Sequence, residues 1–315
     1  MLKRAYVFPG QGSQSVGMLS DIAQAYPEIE HIFNQASNIL GYDTWQLASA
    51  GPAEQLNKTE FTQPLILIAS VALWGIIKKA QFPTPVLMAG HSLGEYSALV
   101  CAQSISFEEG IRLVAQRGRF MQNAVAAGQG AMAAILGADD EAVRRLCEET
   151  RIDNEVLAAV NYNAPGQVVI AGDAMAVERA IAVAKDFGAK RALALPVSVP
   201  SHCQLMQPAA TQLAETVEKI PIKIPTVPVL HNVNVKSSET VEEMRQALIA
   251  QLYSPVRWVE TIETMAAQGV QEIIEVGPGT VLSGLIKRID SSIVVKTTNT
   301  LTALQEIISF QGVEL

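Results

Sequence analysis

Val86-Leu87-Met88-Ala89-Gly90-His91-Ser92-Leu93-Gly94-Glu95 sets a short apolar run directly against a Gly-x-Ser-x-Gly turn, and a helix-like segment from Tyr96 to Ala102 follows. A strand running through such a turn into a helix is the context of a nucleophile elbow. The glycines relieve crowding at the bend and leave the serine hydroxyl exposed above the sheet. The start of the following helix adds free N–H groups and a positive dipole end, both of which favour negative charge developing on a substrate oxygen. Ser92 is therefore the candidate nucleophile for covalent acyl transfer. The bland alternative is an ordinary Gly- and Ser-containing turn, and the flanking elements argue against it.

Outward from the elbow, β-like runs occur at 4–8, 86–89, 227–230, 272–276 and 293–296, separated by helical patterns. That alternation predicts a mostly parallel sheet covered by helices. Ser106 and Glu109 form a capping-box pattern ahead of an apolar stripe of Ile111, Val114, Ala115 and Met121. Another helix is expected after His202, with Leu205, Met206, Leu213 and Val217 on a similar period. The uncharged run from Phe61 to Ile77 falls short of a spanning segment and contains Thr62, Gln63, Pro64 and Ser70, so it reads as a helix buried in a core.

The middle of the chain changes character. Strand patterns at 131–136, 156–161, 168–171 and 191–195 alternate with helical patterns at 139–149 and 174–187. This is the β-α-β-β-α-β order of a ferredoxin-like unit. The expected architecture is thus α/β, with a core formed by residues 1–127 and 198–315 and an insert at 128–197.

Composition narrows the class. The chain has 315 residues, 49% hydrophobic and 17% charged, which suits a large core and argues against disorder. A formal net charge of −8 without a basic stripe argues against nucleic acid as a partner. Three cysteines, at 101, 147 and 203, have neither the even count of a disulfide framework nor Cys-x-x-Cys spacing. The first residues show no signal-peptide pattern before Pro9-Gly10 intervenes. A soluble, cytoplasmic protein with no membrane association is expected.

A serine needs a base to act near neutral pH, and histidine is the usual one. There are four histidines. His31 lies in an amphipathic pattern with Ile29, Ile32 and Phe33. His91 adjoins Ser92, but neighbouring side chains at a tight turn diverge. His231 ends an apolar run and could line the site. His202, in Val197-Ser198-Val199-Pro200-Ser201-His202-Cys203, sits where a loop enters a helix after the insert. His202 ranks first and His231 second, and spacing alone identifies no acid to complete a triad. Phe8-Pro9-Gly10-Gln11-Gly12-Ser13-Gln14 follows the first strand. Ser15 replaces the last glycine of a dinucleotide fingerprint, so this loop is better suited to presenting N–H groups to an oxyanion. Val276-Gly277-Pro278-Gly279 reads as a plain turn.

These motifs together resemble the malonyl-CoA:acyl carrier protein transacylases of bacterial type II fatty-acid synthesis. The likeness extends over nearly the whole chain, through Gly10-Gln11-Gly12, Gly90-His91-Ser92-Leu93-Gly94-Glu95-Tyr96, Gln116-Arg117-Gly118, Asn161-Tyr162-Asn163-Ala164-Pro165-Gly166-Gln167, Pro200-Ser201-His202-Cys203, Gln251-Leu252-Tyr253-Ser254-Pro255-Val256 and Glu275-Val276-Gly277-Pro278-Gly279. The resemblance implies a hydrolase-like core with a ferredoxin-like insert. It also implies Ser92 as the acylated nucleophile, His202 as its base, and the Gln11 and Leu93 amides as an oxyanion hole. The histidine would be oriented by the main-chain carbonyl at Gln251, and Arg117 would hold the malonyl carboxylate. The alternative for Arg117 is a solvated helix arginine. Ser201 departs from relatives that carry phenylalanine there, which leaves room for an α-branch.

The implied reaction moves a malonyl group from malonyl-CoA to the phosphopantetheine thiol of an acyl carrier protein by a ping-pong route. No cofactor or metal is needed, because CoA and the carrier arm are substrates. Asn161, Asn163 and Gln167 are candidate contacts for the substrate arm. The carrier is acidic and so is this chain, so docking would need a local basic patch; Lys190, Arg191, Lys287 and Arg288 are candidates, with Arg144-Arg145 as a further pair. A monomer is expected. The rivals are a serine hydrolase and an inactive docking module. Against a Ser–Asp phospholipase stands the lack of any Asp-Gly in the chain, and against an inactive module the joint presence of Ser92, His202 and Arg117.

Overall fold

The structure is a computed structural model, and it describes residues 2–197 and 199–309. The expected domain boundary at 198 and the tail from 310 to 315 lie outside the described residues. Two sheets organise the chain. The first holds β1 (Arg4–Phe8), β2 (Leu87–Gly90), β7 (Val229–Leu230), β8 (Glu272–Glu275) and β9 (Val294–Thr297), all parallel, in the order β7-β2-β1-β8-β9. Parallel strands need both faces covered, and the burial of β1, β2 and β8 along nearly every residue follows from that.

One face carries the larger core, built on the helices Thr59–Lys79, Leu93–Cys101, Phe107–Asn123 and Gln207–Val217. The other packs on Trp258–Ala267 and Val281–Ile289. Thr59–Lys79 is apolar on all sides and long enough by composition to cross a membrane, yet most of it is buried in this core.

The second sheet is formed by β3 (Gly130–Leu136), β4 (Leu157–Ala164), β5 (Gln167–Asp173) and β6 (Arg191–Ala194), antiparallel, in the order β4-β5-β3-β6. The helices Asp140–Thr150 and Ala174–Val183 cover one of its faces. Alternation along the strands gives the other face Met132, Val160, Val169 and Ala171, which pack with Cys203 beside the loop that carries His202.

Several element edges differ from the sequence reading. The helix after Ser92 starts at Leu93 rather than Tyr96, because the turn closes at once through Gly94 N–H to His91 O and Glu95 N–H to Ser92 O. The expected 227–230 strand shortens to Val229–Leu230, since Pro228 has no N–H for the ladder. The 174–187 helix tightens to a 3₁₀ turn over Ala184–Phe187 before Gly188 ends it with a left-handed φ. Ser106 caps its helix by accepting from the Glu109 amide, one half of the expected capping box.

Candidate active site

The register of the first sheet assembles the site. β1 and β2 run side by side with Phe8 opposite Gly90, so the loops after them leave the sheet at the same end. The His91 amide donates to Phe8 O, which holds the Gly10-Gln11 loop against the elbow. Ser92 itself has φ 51° and ψ −109°, a strained backbone for a non-glycine residue. The flanking glycines are required by close approach. A Cβ at Gly90 would lie 1.8 Å from Gly94 C, and one at Gly94 would lie 1.9 Å from Phe8 O. Asn232, at the end of β7, staples the turn by accepting from Ser92 N–H (2.7 Å) and donating to Gly90 O (2.7 Å).

His202 also has a left-handed backbone, φ 66°, and is buried. Its Nε2 lies 2.8 Å from Ser92 Oγ, and its Nδ1 lies 2.8 Å from the carbonyl oxygen of Gln251. A carbonyl only accepts, so Nδ1 carries the proton and Nε2 is free to take one from the serine. Burial pushes the His202 pKa down to about 3. The Arg117 cation acts in the same direction, as does His91, while the Gln251 carbonyl opposes them. The ring is therefore neutral, with Nε2 open toward the serine.

Arg117 comes from the helix Phe107–Asn123 and is buried. Its Nη1 donates to Gln63 Oε1 (2.8 Å), and its Nη2 reaches Gln251 Oε1 (2.9 Å) and Ser92 Oγ (3.3 Å). Among the described residues no carboxylate lies within ion-pair distance of it, and its Nε has no partner. A buried guanidinium lacking an anion, beside a serine with a neutral base, can receive an acyl group that carries its own carboxylate.

These side chains face a cavity of about 210 Å³ between the two sheets. Gln11, Leu93, Asn161, Asn163 and Gln167 line it together with Ser92, Arg117 and His202. The Gln11 and Leu93 amides donate to no acceptor among the described residues. Asn161 Oδ1 is buried and has no partner among the described residues, whereas Asn163 Oδ1 pairs with His91 Nε2 at 2.8 Å. His91 thus turns away from Ser92 as expected, edge-on to Trp258.

His231 does not line the cavity. Its Nδ1 lies 2.8 Å from Glu95 Oε1 and its Nε2 lies 2.8 Å from Ser238 Oγ, on the buried side of the elbow. His31 is at the surface with Gln35. Lys190, Arg191, Lys287 and Arg288 are exposed. Arg288 is engaged, bonding to Pro165 O and to Oε1 of Gln167, a residue that lines the cavity. In the Arg144-Arg145 pair, Arg144 bonds to Tyr162 and Arg145 to Glu149.

Gln63, Glu95 and Asn232 escaped the sequence reading. Glu95 had a visible signal, as the one carboxylate in the otherwise uncharged and fully buried helix Leu93–Cys101.

Residues 5–305 match the acyl transferase domain family, and the chain is an acyltransferase. The malonyl CoA-acyl carrier protein transacylase of Escherichia coli (strain K12) is 55% identical over 304 residues, covering 96% of this chain and 98% of that one. The enzyme of the same name from Haemophilus influenzae is 56% identical, covering 100% and 99%. A malonyl-transacylase solved in complex with a type II polyketide acyl-carrier protein superposes with a TM-score of 0.96 at 52% identity, covering 98% and 99%. The chain belongs to the malonyl CoA-acyl carrier protein transacylase family.

Proposed function

We propose that this chain carries a malonyl group from malonyl-CoA to the phosphopantetheine thiol of an acyl carrier protein, by a ping-pong route through a malonyl ester on Ser92. As Ser92 Oγ attacks the thioester carbonyl, its proton passes to His202 Nε2. The tetrahedral intermediate then collapses, the C–S bond breaks, and the proton leaves with the CoA thiol. The carrier thiol reverses these steps. Gln11 and Leu93 donate their amides to the oxyanion, Gln251 orients His202 through its carbonyl, and Arg117 pairs with the malonyl carboxylate. Asn161, Asn163 and Gln167 form the wall along which the thioester arm lies. Lys190, Arg191, Lys287 and Arg288 supply positive charge toward an acidic carrier. The chemistry calls for no cofactor, since both thiols belong to substrates.

The single observation that carries this reading is Arg117 Nη2 within 3.3 Å of Ser92 Oγ with no carboxylate among the described residues to neutralise it. A general esterase has no use for a buried, unpaired cation at its nucleophile. The architecture belongs to the same reading: a hydrolase-like core of residues 1–127 and 198–315, and a ferredoxin-like insert at 128–197, supported by the strand order β4-β5-β3-β6. So do a monomeric state and a cytoplasmic setting, the latter supported by three free, buried cysteines.

Intact-protein mass spectrometry after brief exposure to malonyl-CoA tests the proposal. The expected result is one malonyl adduct that Ser92→Ala abolishes and that a holo carrier protein removes as malonyl-carrier. Free malonate in excess of malonyl-carrier, or an adduct persisting in Ser92→Ala, would refute it.

A further inference from the structure

Beneath the cavity lies a buried carboxylate that touches none of the reacting atoms. Glu95 sits in the first turn of the helix Leu93–Cys101, where the helix dipole favours an anion, and it is fully buried. Its Oε1 faces His231 Nδ1 at 2.8 Å. Its Oε2 accepts twice, from the Asn232 amide (3.0 Å) and from Gln251 Nε2 (2.8 Å). Gln251 Nε2 also donates to Ser92 O at 3.0 Å, so the other end of that amide, Oε1, is turned to Arg117 Nη2.

A glutamine amide has one accepting end and one donating end. Flipped, Gln251 would aim N–H at the guanidinium and its oxygen at two other oxygens. Arg117, which only donates, and Ser92 O and Glu95 Oε2, which only accept, together oppose that flip, and among the described residues Glu95 is the side chain that accepts from the donating end. We infer that Glu95 is a positioning residue for acyl selectivity: by accepting from Gln251 Nε2 it keeps Gln251 Oε1 toward Arg117 and so holds the guanidinium where an acyl carboxylate can meet it. This rests on the malonyl reading of the site and deepens it.

The arrangement also says how Glu95 can be replaced without disturbing Gln251. In Glu95→Gln the amide oxygen can occupy the Oε2 position and keep both acceptances. The new NH₂ then faces His231, which needs only to move its proton from Nδ1 to Nε2, where Ser238 Oγ can accept it. Glu95→Ala offers no acceptor at all.

Single-turnover acylation of Ser92 by malonyl-CoA and by acetyl-CoA, followed by intact mass, separates the cases. Glu95→Ala is expected to raise the half-saturating malonyl-CoA concentration roughly tenfold or more, with acetylation held within about threefold of wild type. Glu95→Gln is expected to restore malonyl half-saturation to within about threefold of wild type, with the His231 ring nitrogens exchanging protonation in ¹⁵N NMR spectra. A parallel loss of both acylations in Glu95→Ala would overturn the inference, as would a Glu95→Gln variant as impaired as Glu95→Ala. If Glu95→Ala does not fold, Glu95→Leu keeps the volume without offering an acceptor to Gln251 Nε2; the same selective malonyl loss is expected, and a parallel loss overturns the inference. Absence of a malonyl adduct on the wild type would instead refute the malonyl reading.

Discussion

Ser92 acylation should be nearly independent of pH between 8 and 5, which is unusual for a histidine base. An imidazole with the ordinary pKa of ~6.5 is about 97% neutral at pH 8 and about 3% neutral at pH 5, so its acylation rate would fall roughly thirty-fold. Burial, aided by Arg117, puts His202 at about 3 instead. At that value about 99% of the ring is neutral at pH 5, and the base is lost only near pH 3. The assay is rapid-quench acylation by malonyl-CoA in the free enzyme, read by intact mass at half-unit pH steps. A limb with an apparent pKa between 6 and 7 would refute the account of His202 as a desolvated base. The same causes predict an asymmetry between the half-reactions. Once a malonyl carboxylate sits on Arg117, the cation's push on His202 is largely cancelled while burial remains. The acid limb for attack by the carrier thiol should therefore lie at higher pH than the limb for acylation.

Three further outcomes follow from the same geometry. Arg117→Ala should cut malonyl acylation by about 2–5 kcal/mol, roughly thirty-fold to several thousand-fold, while acetyl acylation persists or improves; equal loss of both would count against the carboxylate-binding role. Gly94→Ala puts a Cβ 1.9 Å from Phe8 O, so about 2–4 kcal/mol of stability should go in urea melts, together with Ser92 acylation. His202 also makes stability depend on pH. Below ~6.5 the unfolded ring binds a proton that the folded ring refuses until about 3, so stability falls as pH falls through that window. Between pH 6.5 and 5, wild type should lose up to about 2 kcal/mol more than His202→Asn in urea melts, and equal losses would contradict the shift.

The turn at Ser92 was legible in sequence because it depends on local pattern. Gly90 and Gly94 bracket Ser92 within five residues, and the strand before them is continuous in sequence. The two sheets were legible as well, through the change from helix-separated apolar runs to the β-α-β-β-α-β middle. The wiring between elements was not. Asn232 lies 140 residues from Ser92, and Gln251 lies 156 from Glu95, so no spacing rule could pair them. Single polar residues at the ends of elements acquire partners only when the parallel register brings those ends together. Gln63 is the clearest example, sitting in the uncharged run from Phe61 to Ile77 of the helix Thr59–Lys79, where it reads as a tolerated core polar until Arg117 is found 2.8 Å away.

The neutral orienter of His202 has a physical consequence for substrate choice. A carboxylate on Nδ1 would raise the histidine pKa and place a negative charge beside the acyl pocket, repelling a malonyl carboxylate. The Gln251 carbonyl fixes the same tautomer at 2.8 Å without bringing charge. In the proposed reaction the lost charge assistance is offset by desolvation, which keeps the ring neutral, and by Arg117, whose cation would serve both the base and the acyl group. A single substitution distinguishes this from a triad that merely lost its acid. If an aspartate were installed within reach of His202 Nδ1, acylation by malonyl-CoA should weaken relative to acetyl-CoA, and its acid limb should climb toward ~6.5. An unchanged malonyl-to-acetyl ratio with a raised limb would separate the two effects and show that the neutral carbonyl has no part in selecting the acyl group.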